Sequence, residues 1–322
     1  MNIYLTLDYE LFMGAQSGSV QNCLIKPMNR LIERTKDYGV KFTLFVDAAY
    51  LYRLSELKDQ HESLKEDYDD ISDNLRSLVS QGHSVQLHIH PQWYYSEYKD
   101  GIWLIDQRHY KLSDMPADQL TSLFSNSKQL LEEIAGVKVN AFRAGGYSLQ
   151  SLSDYANFLM TNGITSDSSV ASAQRYVSEY QWYDYSIISG KRLYSFSADI
   201  TKEDKEGGLK EYPIAHLCIS TIRYILYRLY LKYFKSVGQA YGDGNAVPSN
   251  QSIKVFETKV MNYSFDYVMA PMLYSIFKKF LKDNCNDIVL IGHPKNQSPE
   301  SIEELVKFIV KTRGVTSFKT IK

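Results

Sequence analysis

Short apolar runs alternate along the chain with longer stretches in which apolar residues recur every three or four positions. Ile3–Asp8 reads as a strand, and Pro27–Tyr38 as a helix with proline in its first turn and Gly39 just past its end. Lys41–Val46 is the next strand, and Ser63–Ser80 a helix carrying Leu64, Tyr68, Ile71, Leu75 and Leu78. The same alternation gives strands at Ser84–His90, Val139–Arg143 and Ile164–Asp167, with helices at Ala117–Ala135 and Leu149–Thr161. It ends with a helix over Tyr267–Lys282, the strand Asp287–Gly292, a helix over Pro299–Lys311 and a strand around Val315–Phe318. This order predicts an α/β fold with a parallel sheet and helices outside it. About seven strands recur, which favours a barrel-like closure over a small open sheet. In such folds the chemistry sits where strands end and loops begin.

Tyr176–Val260 breaks the rhythm. It reads as an elaboration of a single 1–322 domain, spanning about 176–260, inserted before the last βα units. Within it, His216–Phe234 reads as a helix that mixes Ile, Leu, Tyr and Phe with Arg223, Arg228 and Lys232, and Lys235 follows. Two readings stand for this segment: a helix packed on the barrel with its basic residues in water, or a helix lying on an anionic membrane surface. Tyr241–Asn250 reads as an exposed loop.

A hydrophobic content of 44% supplies a sizeable core, and a net charge of −1 gives no whole-chain case for binding nucleic acid. Cys23, Cys218 and Cys285 are too scattered for a zinc ribbon or a disulfide framework, which fits a reducing compartment. The N-terminus enters a strand directly with no signal-peptide pattern, and no apolar stretch is long enough to span a bilayer; a cytoplasmic protein is expected. The 26 tyrosines suit sugar binding and ordinary half-buried positions alike.

The informative positions are the polar residues at strand ends, which apolar strands do not need. Asp8 and Glu10 close the first strand and, two apart, share a side. Such a pair suits a metal ligand beside a general base, although a surface pair would look the same. His88 and His90 also share a side at their strand end; they are either ligands of a divalent metal or histidines satisfied by hydrogen bonds. Arg143 precedes two glycines, Gly145 and Gly146, at a third strand end, and a structural turn is the alternative reading there. His293 follows the strand Asp287–Gly292, as a core residue or as a general acid. Trp93 and Tyr147 could offer flat faces to a sugar ring.

Taken in order, these motifs resemble the polysaccharide deacetylases with a NodB-homology domain, carbohydrate esterase family four in the broad sense. The resemblance runs through Leu5-Thr6-Leu7-Asp8-Tyr9-Glu10, Gly82-His83-Ser84-Val85-Gln86-Leu87-His88, Phe142-Arg143-Ala144-Gly145-Gly146-Tyr147, Asp167-Ser168-Ser169 and Leu290-Ile291-Gly292-His293. It implies a distorted seven-stranded (β/α) barrel. It also implies a metal-dependent hydrolase that removes an N-acetyl, less often an O-acetyl, group from a sugar. By the same resemblance Asp8 is the base, and Glu10 and His88 bind the metal, with zinc the expected ion. His293, reaching in from the opposite rim, is the acid, Arg143 orients Asp8, and Tyr147 and Asp167 lie at the substrate. Two positions depart from the family pattern: Glu10 replaces an aspartate, and Gln92 stands where the second metal histidine usually falls, so His90 or Gln92 is the third ligand. The implied partner is an acetylated sugar or oligosaccharide, and the missing secretion signal favours an intracellular, nucleotide- or lipid-linked intermediate over finished cell wall. The alternative is a catalytically inactive carbohydrate-binding relative.

Overall fold

The computed structural model describes residues 1–190, 192–234, 238–247 and 257–322. Its frame is a parallel wall built from β1 (Asn2–Tyr9), β2 (Thr43–Asp47) and β3 (Ser84–Ile89). The hairpin β4 (Glu97–Lys99) and β5 (Ile102–Leu104) stands off this wall, which resumes with β6 (Ala141–Ala144) and β7 (Ser166–Asp167). A second hairpin, β8 (Arg175–Val177) with β9 (Trp182–Asp184), precedes β10 (Tyr194–Phe196) and β11 (Leu209–Glu211). Then come the ribbon β12 (His216–Ser220) with β13 (Thr258–Asn262), the wall strand β14 (Asp287–Gly292) and a short β15 (Ser317–Lys319).

The spatial order is β10-β11-β7-β6-β3-β2-β1-β14, with β15 also on β1. All pairings in it are parallel except β10 with β11. Ile214 bridges Ala171 on one side and Val289 of β14 on the other, which closes the wall. The barrel of seven parallel strands therefore takes β11 and Ile214 from inside 176–260, so only part of that stretch is elaboration.

The helices are α1 (Lys26–Thr35), α2 (Ala48–Leu57), α3 (Glu62–Ser80), a single turn α4 (Gln92–Tyr95), α5 (Ala117–Ala135), α6 (Tyr155–Thr161), α7 (Thr221–Phe234), α8 (Leu273–Lys282) and α9 (Pro299–Thr312). In α3 the buried Leu64, Ile71, Leu75 and Leu78 form one apolar face, as the spacing predicts. Helix α9 starts where Ser298 and Ser301 cap each other reciprocally and Pro299 occupies the first turn. Helix α2 has no such signature, because Ala48, Ala49, Tyr50 and Leu51 are all buried and leave no polar contrast.

Three expected elements differ. Leu149–Thr161 is helical only from Tyr155, since Leu149–Ser151 forms a 3₁₀ turn and Asp154 has left-handed φ of 55°. The helix expected over Tyr267–Lys282 begins at Leu273. His216–Ser220 is a strand paired with β13, so the helix expected from His216 starts at Thr221. Of the expected loop Tyr241–Asn250, residues 248–250 lie outside the described residues, as does Lys235.

Strand alternation divides the core. Ile3, Leu5 and Leu7 face the helices in the large outer core, whereas Tyr4, Phe45, Ala141, Tyr212, Ile214, Val289 and Ile291 pack inside the barrel. Ile321 joins this inner cluster as a plug; its N–H donates to Thr43 Oγ1 and its carbonyl accepts from Ser84 Oγ. Beside this end, His83 is buried and its Nδ1 accepts a hydrogen bond from the Phe42 N–H at 3.0 Å, which requires the neutral ring. Burial, helped by Lys41, pushes its pKa down to about 4. The associated stability is full above the unfolded value near 6.5 and is lost as pH falls through about 4. Other buried groups titrate over the same range, so the parent and His83→Gln, which keeps an acceptor without a titrating group, have to be compared. Going from pH 7.5 to 4.5 in urea unfolding, the variant is expected to gain about 2–3 kcal/mol on the parent. The same pH dependence in both proteins would show that His83 is not the source.

Candidate active site

The inward file of each wall strand becomes polar toward its C-terminal end. Thr6, Asp8 and then Glu10 project inward from β1, Asp47 from β2, and Gln86, His88 and then His90 from β3. Arg143 from β6 pairs in register with His88. All of these side chains are buried, so each has to find a polar partner.

Arg143 has no exposed surface. Its Nη1 donates to Asp8 Oδ1 at 2.5 Å, Nη2 to Thr6 Oγ1 and Ser168 Oγ, and Nε to the Ser168 carbonyl. The guanidinium also lies 4.1 Å from the Phe45 ring centre. Asp8 is thereby held by one oxygen, and its Oδ2 looks toward His293 Nε2, 3.7 Å away.

Glu10, His88 and His90 bring one ligand atom each to within 4.8 Å of one another. Glu10 Oε2 is 3.1 Å from His88 Nε2 and 2.7 Å from His90 Nε2. His88 Nδ1 is 2.7 Å from the Arg143 carbonyl, which can only accept, so Nδ1 carries the proton and the neutral tautomer has its lone pair on Nε2, toward Glu10. Burial opposes the charged form of this ring, but the Glu10 hydrogen bond and the Asp8 and Glu10 charges outweigh it, raising its pKa to about 8. Burial alone would raise the Glu10 carboxyl, yet Lys295, His90 and His88 bring it well below the usual range. Close approach is built in at Gly145, where a Cβ would meet the Ile89 carbonyl at 2.6 Å and His90 Nδ1 at 3.0 Å.

Two residues that sequence reasoning missed complete the cluster. Asp266 follows a parallel bridge between Ser264 and Ile291, which brings it beside His293. It accepts from the His293 N–H, from His293 Nδ1 at 2.8 Å and from Gln297 Nε2, so Nδ1 is protonated and Nε2 points at the carboxylates. Burial lowers the His293 pKa, but Asp266, Asp8 and Glu10 more than compensate and it is raised overall. Lys295 is swung back by the turn Pro294–Asn296, buried, and donates to Glu10 Oε1 at 2.9 Å and to the Leu11 carbonyl. Asp266 stands in no motif, and a lysine two residues past His293 has no pattern that separates it from a surface lysine.

Four expectations need correction or restatement. β14 pairs with β1, so His293 enters beside Asp8 and not from the opposite rim. Trp93 lies within the core against Tyr50 and Trp103 and donates from Nε1 to Asp47, with no face left for a sugar. Asp167 is outward-facing because its neighbour Ser168 points in to Arg143; its carboxylate accepts from Ser169 and sits by Glu211, and burial raises it to about 6. Gln92 is fully buried with neither amide atom hydrogen-bonded, and Glu10, His88 and His90 make up a three-donor group without it. Tyr147, with φ of 60°, stands near Asp8, its hydroxyl accepting from Asn262 Nδ2.

A cavity of about 510 Å³ opens onto Glu10, His90, His293 and Lys295 between the aromatic rings of Phe12, Tyr110, Tyr176 and Tyr180. A second cavity of about 620 Å³ abuts it, sharing Tyr180 and Val247 and lined by Trp103, Leu104 and Ile105.

No family model and no curated protein matches the sequence. Solved structures do share the fold. A Mycobacterium smegmatis protein assigned as a polysaccharide deacetylase is 16% identical, with a TM-score of 0.55 over 98% of this chain and 85% of that one. The PuuE allantoinase is 12% identical, with a TM-score of 0.50 over 99% and 87%. A GH57 branching enzyme from Thermococcus kodakaraensis is also 12% identical, with a TM-score of 0.50 over 99% and 69%. The architecture is thus the curled (β/α) barrel of polysaccharide deacetylases, a frame that also carries enzymes of other names, so function has to be argued from the site.

Proposed function

We propose that this protein is a metal-dependent hydrolase that removes an N-acetyl group from a sugar of a glycan or glycan precursor. The observation that carries this reading is the convergence, at one barrel mouth, of the Arg143–Asp8 pair, the Glu10-His88-His90 donor group and the Asp266–His293 pair. One carboxylate oxygen and two imidazole nitrogens are the donor set of a catalytic zinc site with a position left open. The residues fit the ion: the His88 tautomer sends Nε2 inward, and Lys295 occupies only Oε1 of Glu10, leaving Oε2 for the ion. When bound there, the metal would lower the pKa of a water molecule and polarise the acyl carbonyl.

The chain's own residues account for the proton transfers. Asp8, held through Oδ1 by Arg143, takes the water proton on Oδ2. His293, positioned by Asp266, donates its Nε2 proton to the leaving nitrogen as the tetrahedral carbon collapses to acetate. The 3.7 Å between Asp8 Oδ2 and His293 Nε2 then allows the proton to return, so acid and base are reset together. The tyrosine-rich cavity supplies flat faces for a sugar ring, with Gln181, Ser178 and Asn296 as polar partners for hydroxyls.

Carbohydrate binding without turnover is the second reading, and Lys295 is the observation that favours it: its ammonium already neutralises Glu10. Metal content separates the two. Purified protein reconstituted with zinc is expected to retain about one ion per chain and His88→Ala less than a tenth of that, with the first alone releasing acetate from N-acetylated sugars or oligosaccharides. Equal trace metal in both proteins, with no acetate, would favour the binding reading.

A further inference from the structure

Helix α7 presents an apolar stripe to solvent. Ile222, Ile225, Leu226, Leu229 and Tyr233 follow helical spacing and are 37–66% exposed. The opposite side holds the helix in place: Thr221 donates to the Glu257 carbonyl, Tyr227 OH donates to the Val268 carbonyl, and Leu231 is buried. Scattered exposed apolar residues are ordinary, but a continuous stripe along a helix is a surface built to be covered.

The charge around the stripe identifies what covers it. Arg223, Arg228 and Lys232 flank it on the helix, and Lys259 of β13 lies over the Tyr224 ring. Neither α7 nor the ribbon β12–β13 contains an Asp or Glu, and Glu257 just precedes β13. A second copy packed stripe to stripe would bring two cationic flanks together with no acid on either helix to offset them. An anionic lipid surface, by contrast, takes the apolar side chains among its acyl chains and the cations at its headgroups. Exposed tyrosines such as Tyr230 and Tyr233 suit that boundary.

We infer that α7 lies on an anionic membrane surface and sets the barrel mouth toward it. Ile214 bridges Val289 in parallel, so the chain entering β12 runs in the direction of β14, toward the end that carries His293. The contact of Tyr227 with Val268, two residues past Asp266, puts the helix at that same end. Docking stands independently of the reaction proposed above. That a lipid-linked sugar is the substrate presented there rests on that reading.

Sedimentation of the full chain with vesicles of mixed phosphatidylglycerol and phosphatidylcholine, against phosphatidylcholine alone, tests it. Binding is expected to favour the anionic vesicles and weaken with salt. Leu226→Glu with Leu229→Glu, or charge reversal at Arg223, Arg228 and Lys232, is expected to lower it by about tenfold or more. The exposed positions lie outside the core and the cavity, so the far-ultraviolet circular dichroism spectrum should stay unchanged and report a folded protein. Absence of binding to either vesicle would overturn the inference, as would binding indifferent to these variants. A dimer that Leu226→Glu and Leu229→Glu dissolve, without vesicle binding, would assign the stripe to a second copy instead.

Discussion

Asp8→Asn is expected to keep the fold and the bound metal while lowering acetate release by about 10²–10⁴-fold, the usual contribution of a positioned general base. Asparagine is nearly isosteric and can still accept from Arg143 through its amide oxygen, so the Thr6–Arg143–Ser168 network survives. What it lacks is a carboxylate oxygen at the position of Oδ2, the atom that faces His293 across 3.7 Å. Metal analysis and kcat on the same preparation decide the point. Loss of metal in the variant would move Asp8 into the ligand set, and an unchanged kcat would remove it from the chemistry.

Arg143→Met is expected to cost about 3–5 kcal/mol of folding stability, since it strands a buried partner charge. Asp8 is almost fully buried and Arg143 is its only ion-pair partner at normal hydrogen-bond distance among the described residues. The same change leaves Thr6 Oγ1 and Ser168 without their guanidinium donors. Denaturant unfolding of Arg143→Met, Asp8→Asn and the double variant separates the two causes. Because asparagine carries no charge to strand, the double variant should recover part of the loss. A single-variant cost below about 1 kcal/mol would show that water reaches Asp8 and that the pair is not sealed.

Both predictions concern residues that could be read directly. Asp8, Glu10, His88 and His90 were legible because a strand places every second side chain on one face, whatever it pairs with. The outer helices were legible for a similar reason: α3 and α9 carry their apolar period within one element. Reading failed where the local signal was flat, as in the evenly buried start of α2, or where two structures share one composition. His216–Ser220 is such a case; its apolar residues fit a helix, but pairing with Thr258–Asn262 across an intervening stretch makes it a strand.

The sequence by itself therefore determined the alternating α/β order, the strand ends that carry chemistry and the common side of each polar pair. These are properties of neighbours along the chain. Only the tertiary structure decided which distant residues meet. Lys295 reaches Glu10 across 285 positions, and Ile321 plugs a barrel opened by Thr43 and Ser84. Asp266 became the partner of His293 through a short parallel bridge. Tertiary structure also decided facing: Asp167 turned out of the barrel because Ser168 turned in to Arg143, and Trp93 was drawn into the core by Tyr50, Trp103 and Asp47. Such outcomes depend on sheet register and on which surfaces the other elements have already covered, and neither is written in any local pattern.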